Sequence, residues 1–190
     1  MTVRFIFLVT ALTTSIYAAA PKSPDPRIIV ELIAEAPQIV TPTGLGVDVK
    51  GRVIVIESHT HFRPKDYKGP ERDRVLMFTS TAKDKAKRSI FYEGLKMGMD
   101  VCIGKNGWVY LAERSRILRV RDTNNDGKAD QREVVFSGFG RRNVQTLLNN
   151  LILQPDGWFY GAGGGNGGTV SSSRSATTAA VLLRGRDFRF

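Results

Sequence analysis

A strand, a glycine turn and a second strand recur three times in this chain, and that repetition constrains the fold more than any other feature. The best-formed copy runs from Met99 to Phe139. Val101 and Ile103 alternate with other residues as a first strand, Lys105-Asn106-Gly107 forms a turn, and Trp108 to Ala112 reads as a second strand rich in aromatic and β-branched types. Asn-Gly is a strong hairpin signal. A third strand, Ile117 to Val120, is joined to a fourth, Val134 to Ser137, through the acidic turn Asp122-Thr123-Asn124-Asn125-Asp126-Gly127. Four antiparallel strands of this kind make one propeller blade.

The other copies are Gly44 to Glu57, which puts Gly51 at the place of Gly107, and Asn150 to Gly163, which puts Gly157 there; the separations are 56 and 50 positions. An apolar pair or triplet follows each as the expected third strand: Val75-Leu76-Met77, Ile117-Leu118, and Val181-Leu182-Leu183. Two copies close alike, with Phe91-Tyr92-Glu93-Gly94-Leu95 and Val135-Phe136-Ser137-Gly138-Phe139, and the third stops at Phe190 before its closing strand. The expected fold is therefore all-β, a partial propeller of about two and a half four-stranded antiparallel blades. The blades are placed at approximately 42–95, 98–139 and 144–190. Closed propellers have about 4 to 8 blades, so the chain reads as the N-terminal part of a longer protein, with the missing blades of the same propeller as its partner.

Residues 1–20 read as a secretory signal peptide: Arg4, an apolar run from Phe5 to Leu12, then Ala18-Ala19-Ala20. The run is shorter than the about 20 apolar residues that a span requires, so no transmembrane segment is expected. An exported, periplasmic or extracellular protein is therefore expected. Residues 21–27 form a Pro-rich linker, and Ile28 to Ile33 is expected to enter the propeller domain, 28–190, as a strand. The single Cys102 cannot make an internal disulfide; it reads as a small buried hydrophobe, with a reactive thiol as the alternative. The net charge of +10 is spread over several segments, which points to a solvated surface and away from nucleic acid, and leaves acidic polysaccharide or an anionic envelope surface as the alternative.

The best-defined chemical motif is Asp122-x-Asn124-x-Asp126-Gly127-x-x-Asp130-x-x-Glu133, which matches the calcium-loop pattern D-x-[DN]-x-[DN]-G-x5-E. Calcium takes about 6 to 8 oxygens, and alternate positions of a tight loop can aim that many inward while Gly127 permits the turn. The candidate metal ligands are Asp122, Asn124, Asp126 and Asp130, with Lys128 at the position where the pattern uses a main-chain carbonyl, and Glu133, whose reach depends on the backbone beyond the loop. The flanks read as strands, so a metal-binding hairpin loop is expected; the alternative is a solvated Asp-Gly turn without metal.

His59 and His61 are the only histidines and lie at the end of the strand Val53 to Ile56. They are weak catalytic candidates. An H-x-H at a strand end also opens the site of metal-dependent amidohydrolases, but those need further histidines and a β/α barrel. The pair is expected on a loop at one mouth of the propeller, binding a ligand or hydrogen-bonding the next blade. The stretch Gly161 to Gly168 has neither a Gly-Lys-Ser/Thr ending nor a following helix, so close backbone packing explains it better than phosphate binding.

Together, THFRPKDYKGPERDRV (Thr60 to Val75), DTNNDGKAD (Asp122 to Asp130), NNLILQPDGWFYGAGGGNGG (Asn149 to Gly168) and the closing LRGRDFRF resemble exported planctomycete-type propellers, the membrane-bound dehydrogenase domain proteins. These are similar to soluble glucose and sorbosone dehydrogenases that use pyrroloquinoline quinone. The resemblance covers about 28–190. It implies a six-bladed propeller, a sugar or alcohol dehydrogenase activity, a quinone cofactor and a sugar ligand. No C-x-x-C-H is present, so no haem of that kind is carried. The resemblance also implies a histidine base shortly before the strand matching Leu151 to Gly157, but Val144-Gln145-Thr146-Leu147 holds none. This chain alone is thus expected to be inactive, and a non-catalytic propeller binding polysaccharide or protein is the alternative.

Overall fold

The computed structural model describes residues 22–81, 84–175 and 177–190; residues 1–20, the segment expected to be a signal peptide, lie outside them. The chain divides into two units, Met1–Leu32 and Ile33–Phe190. In the first, the described residues form no helix or strand, and Ile28, Ile29, Val30 and Leu32 are exposed. The strand expected at Ile28 to Ile33 does not form: an extended segment gains little without a ladder neighbour to take its N–H and C=O groups.

The second unit opens with a four-stranded antiparallel meander, β1 (Pro42–Val47), β2 (Val53–Glu57), β3 (Asp73–Thr81) and β4 (Asp84–Leu95). A second meander follows: β5 (Gly98–Ile103), β6 (Val109–Glu113), β7 (Arg116–Arg121) and β8 (Gln131–Phe139). In a third, β9 (Asn149–Leu153) pairs with β10 (Phe159–Ala162), which pairs with β13 (Asp187–Arg189). The hairpin of β11 (Gly168–Ser172) and β12 (Val181–Leu183) leaves this third sheet and adds to the outer edge of β8, extending the second sheet to six strands.

The turns show why these strands begin and end where they do. Asn106 and Gly107 both have positive φ, 56° and 76°, and Trp108 N–H closes the turn on Lys105 C=O at 3.2 Å. That is the geometry for which Asn-Gly is suited. The corresponding turns of the first and third blades are closed by Gly51 N–H on Asp48 C=O and Gly157 N–H on Gln154 C=O, both at 2.9 Å.

The blades pack face to face through residues of alternating sidedness. Ile54, Ile56, Val75 and Met77 of the first meet Val101, Val109, Leu111, Leu118 and Val120 of the second. The opposite face of the second, Cys102, Trp108, Tyr110, Ala112 and Ile117, meets Leu148 and Leu151 of the third. Val55, Leu76 and Phe78 point away from the second blade and are covered by Ile33, Ala34 and Ile39. Inner strands approach closely. A Cβ on Gly44 would lie 2.6 Å from Asp100 Cα, and Thr43 Oγ1 donates to Gly98 C=O at 2.8 Å.

The third strand of the third blade differs from the expected one. Val181 and Leu182 are largely exposed, whereas Phe188 and Phe190 pack inward. Phe159 and Phe190 exchange two main-chain hydrogen bonds of 3.0 Å, and their rings stack at 5.1 Å. The period-two Phe-x-Phe pattern fits a strand with one buried face better than a continuous apolar triplet.

Candidate functional site

At the mouth where β2 and β6 end, each strand closes on a buried glutamate, Glu57 and Glu113, both 3% exposed. Glu57 accepts from Val40 N–H at 3.0 Å and Glu113 from Lys96 N–H at 2.8 Å. Each thus holds the chain two residues before the first strand of its own blade. Arg116 also donates to Glu113, and this raises the already high pKa of its guanidinium. The third blade has Gly163 at the equivalent place, where a Cβ would meet Arg186 C=O at 2.7 Å. The repeated strand endings VIVIE and VYLAE carried this signal, but their shared glutamate gave no sign of a partner outside the hairpin.

His59 belongs to this framework. Its Nε2 lies 2.9 Å from Glu57 Oε2, its Nδ1 is hydrogen-bonded to the Tyr67 hydroxyl, and the residue is 6% exposed. With Glu57 as carboxylate, Nε2–H donates and Nδ1 accepts from Tyr67. Asp73, fully buried, receives His59 N–H, Thr60 N–H, the Thr60 hydroxyl and Gly98 N–H, so the loop is bound to the start of the second blade. The two histidines separate here. His61 is half-buried on the rim, edge-on to Phe62 at 4.4 Å.

The acidic loop joins β7 to β8. Asp122 Oδ2 accepts from Gly127 N–H at 2.9 Å, Asn124 Oδ1 from Asp126 N–H at 3.1 Å, and Asp126 Oδ1 from Lys128 N–H at 2.8 Å. Asp122 Oδ1 is buried without a hydrogen-bond partner among the described residues. Asp130 is turned to Thr123, accepting from its hydroxyl at 2.6 Å and its N–H at 2.9 Å; these bonds, the hydroxyl first, hold its carboxyl below the usual range. Glu133 lies in β8, and Arg119 takes its carboxylate at 2.6 and 2.9 Å. Among the described residues no three His, Cys, Asp or Glu side chains gather at one metal-sized point. The oxygen-only donors Asp122, Asn124, Asp126 and the Lys128 carbonyl suit a hard cation, and the orphaned Asp122 oxygen is the observation that fits one. Ala129 N–H bonds Phe91 C=O at 2.7 Å, which fastens the loop to the outer strand of the first blade.

The glycine-rich stretch is held by close backbone approach. Added Cβ atoms at Gly164, Gly167 and Gly168 would fall 2.1 to 2.2 Å from the carbonyl oxygens of Thr146, Leu183 and Gly138. Val144–Thr146 forms a 3-10 turn capped by Asn143, and Leu147 behind it is 1% exposed. Cys102 is 7% exposed, and burial pushes its thiol pKa up.

Successive antiparallel meanders packed face to face, with loops tied across their mouths, define this chain as part of a β-propeller. It belongs to the family described as "Domain of unknown function (DUF7133)", whose model matches residues 25–190. No curated protein matches it. A similar solved structure is a Thermus thermophilus protein described as "putative oxidoreductase (glucose dehydrogenase)", 20% identical, with a TM-score of 0.50 over 78% of this chain and 44% of that one. At that identity the likeness is one of fold, and this chain spans less than half the length of that protein. Among the described residues no helix is long and apolar enough to cross a membrane.

Proposed function

We propose that the chain supplies blades of an exported, six-bladed propeller related to quinone-dependent sugar or alcohol dehydrogenases, with calcium bound at the acidic loop. The fold it has in common with the Thermus protein is the observation that carries this reading. Further blades of the same propeller cover the exposed Leu45 and Val47 on one side and Ile152 and Trp158 on the other. The leader pattern of residues 1–20 supports export to a periplasmic or extracellular setting.

Asp122, Asn124, Asp126 and the Lys128 carbonyl would hold the calcium, whose role is to stiffen a loop fastened to the neighbouring blade. A bound pyrroloquinoline quinone would supply the hydride acceptor. His59 orients the mouth loop and has both ring nitrogens engaged, so it is not the proton acceptor for an external hydroxyl. His61, on the rim, is the histidine of this chain left for such a role.

The closed environment of His59, and the absence of histidine from Val144 to Leu147, favour a second reading, a non-catalytic propeller that binds polysaccharide or protein. Calorimetric titration of the full-length protein with calcium, then with the quinone, followed by sugar-dependent dye reduction, separates the two. Saturable quinone binding and turnover are expected. A folded, calcium-loaded protein that binds no quinone overturns the dehydrogenase reading and leaves the binding one.

A further inference from the structure

A cavity of about 430 Å³ opens beside the first two blades at the mouth that carries Glu57 and Glu113, and its lining is strongly cationic. Arg72 precedes β3, Lys96 lies in the β4–β5 link, Arg114 lies in the β6–β7 turn, Arg116 opens β7, and Arg141 follows β8. Four separate chain segments thus deliver five cations to one concavity, and the single carboxylate there is Glu113. That carboxylate is already engaged by Arg116 and by Lys96 N–H. Among the described residues no salt bridge neutralises the other cations there.

Arg114 Nε is buried with no hydrogen-bond partner among the described residues. An unmet buried donor is destabilising, more so when charged, and like charges drawn to one cavity add repulsion. Arg72, Lys96 and Arg141 are exposed, whereas Arg114 and Arg116 are half-buried. The backbone here is fixed as well: Arg114 N–H donates to Met97 C=O at 3.1 Å. Guanidinium forks suit planar or tetrahedral oxyanions, which accept two N–H bonds at once.

We infer that this cavity is an anion-binding site for a phosphate or sulfate group, free or carried as an ester on a sugar. The inference stands apart from the calcium and quinone readings, since none of its residues belongs to the acidic loop.

The test is calorimetric titration of the full chain at constant ionic strength with sodium phosphate, sodium sulfate, glucose 6-phosphate, glucose 6-sulfate and, as control, glucose. Saturable binding of the anions and none of glucose is expected. Arg72→Gln and Arg141→Gln, both at exposed positions, should each weaken binding by about tenfold or more while the circular dichroism spectrum and melting temperature stay unchanged. Lys50→Gln, at the far turn of the first blade, should leave binding as it was. Esters binding more tightly than the inorganic ions identify a sugar-borne group, and equal binding identifies the free oxyanion. Binding that is unsaturable, or unchanged in folded Arg72→Gln and Arg141→Gln proteins, overturns the site.

Discussion

The Asp100 carboxylate accepts a hydrogen bond from Leu151 N–H at 2.6 Å, and so joins the inner strand of the second blade to that of the third. Its other oxygen takes Val101 N–H at 2.8 Å, and Gly44 of the first blade lies directly against it. Burial, the largest influence, raises the Asp100 pKa in spite of these bonds.

That direction sets a pH dependence. A carboxyl whose pKa is raised on folding contributes stability that is complete below its unfolded pKa and is lost as pH climbs through the folded one. Asp100→Asn does not titrate. The stability advantage of the native chain over Asp100→Asn should therefore shrink with rising pH across that window and level off above it. Urea unfolding of both proteins at a series of pH values reads this, and an advantage that grows with pH would contradict it.

Glu113→Ala removes the acceptor for Lys96 N–H and the partner of Arg116. A loss of about 1.5–3 kcal/mol is expected, with Glu113→Gln retaining part of it because an amide oxygen still accepts one bond. Chemical denaturation of both variants measures the difference. An alanine variant as stable as the native chain would show that the buried glutamate does not hold the blade entry.

Gly44→Ala places a methyl 2.6 Å from Asp100 Cα, so strands that now touch must separate. The expected cost is about 1–3 kcal/mol by overpacking. Gly51→Ala meets no atom within 4 Å, and its penalty comes from its φ of 73° alone. Thermal melts should show a loss for Gly44→Ala that Asp100→Gly does not rescue, because the methyl's nearest contact is the Asp100 Cα, which that substitution leaves in place.

If calcium occupies the acidic loop, millimolar calcium should raise the melting temperature of the native chain and leave that of Asp126→Ala unchanged, since ligand bound only by the folded state stabilises it by mass action. Magnesium is the control. An equal shift in the variant would mean that calcium acts elsewhere.

Cys102 should resist alkylation in the folded protein and react promptly in denaturant, because burial both hides the thiol and disfavours the thiolate. Intact-mass measurement after timed iodoacetamide treatment tracks it. Rapid modification of the native chain would place the sulfur at the surface.

Local patterns made the blades legible. Asn106-Gly107 and Asp156-Gly157 announce their hairpins, and alternation in Val101 to Ile103 announces a half-buried strand. Long-range pairing was not legible. Nothing near Val181-Leu182-Leu183 indicates that it pairs with β11 on the edge of another blade, or that Asp187–Arg189 takes its place beside β10. The site divides the same way. The loop spacing from Asp122 to Asp130 is a local fact, but Glu133 sits further along, in a strand, where cross-strand register directs it to Arg119. Whether His59 binds a ligand or hydrogen-bonds its surroundings was open, because Tyr67 reaches its ring only once the mouth loop has folded back.

The β11–β12 hairpin has a consequence for biosynthesis. When the second blade leaves the ribosome, β8 is its outermost strand, and its unpaired N–H and C=O groups are open to any passing edge. Only after the chain has begun the third blade does it return and close that rim. A nascent chain paused between Phe139 and Leu183 would carry a sticky border, and chaperone capture should peak in that interval.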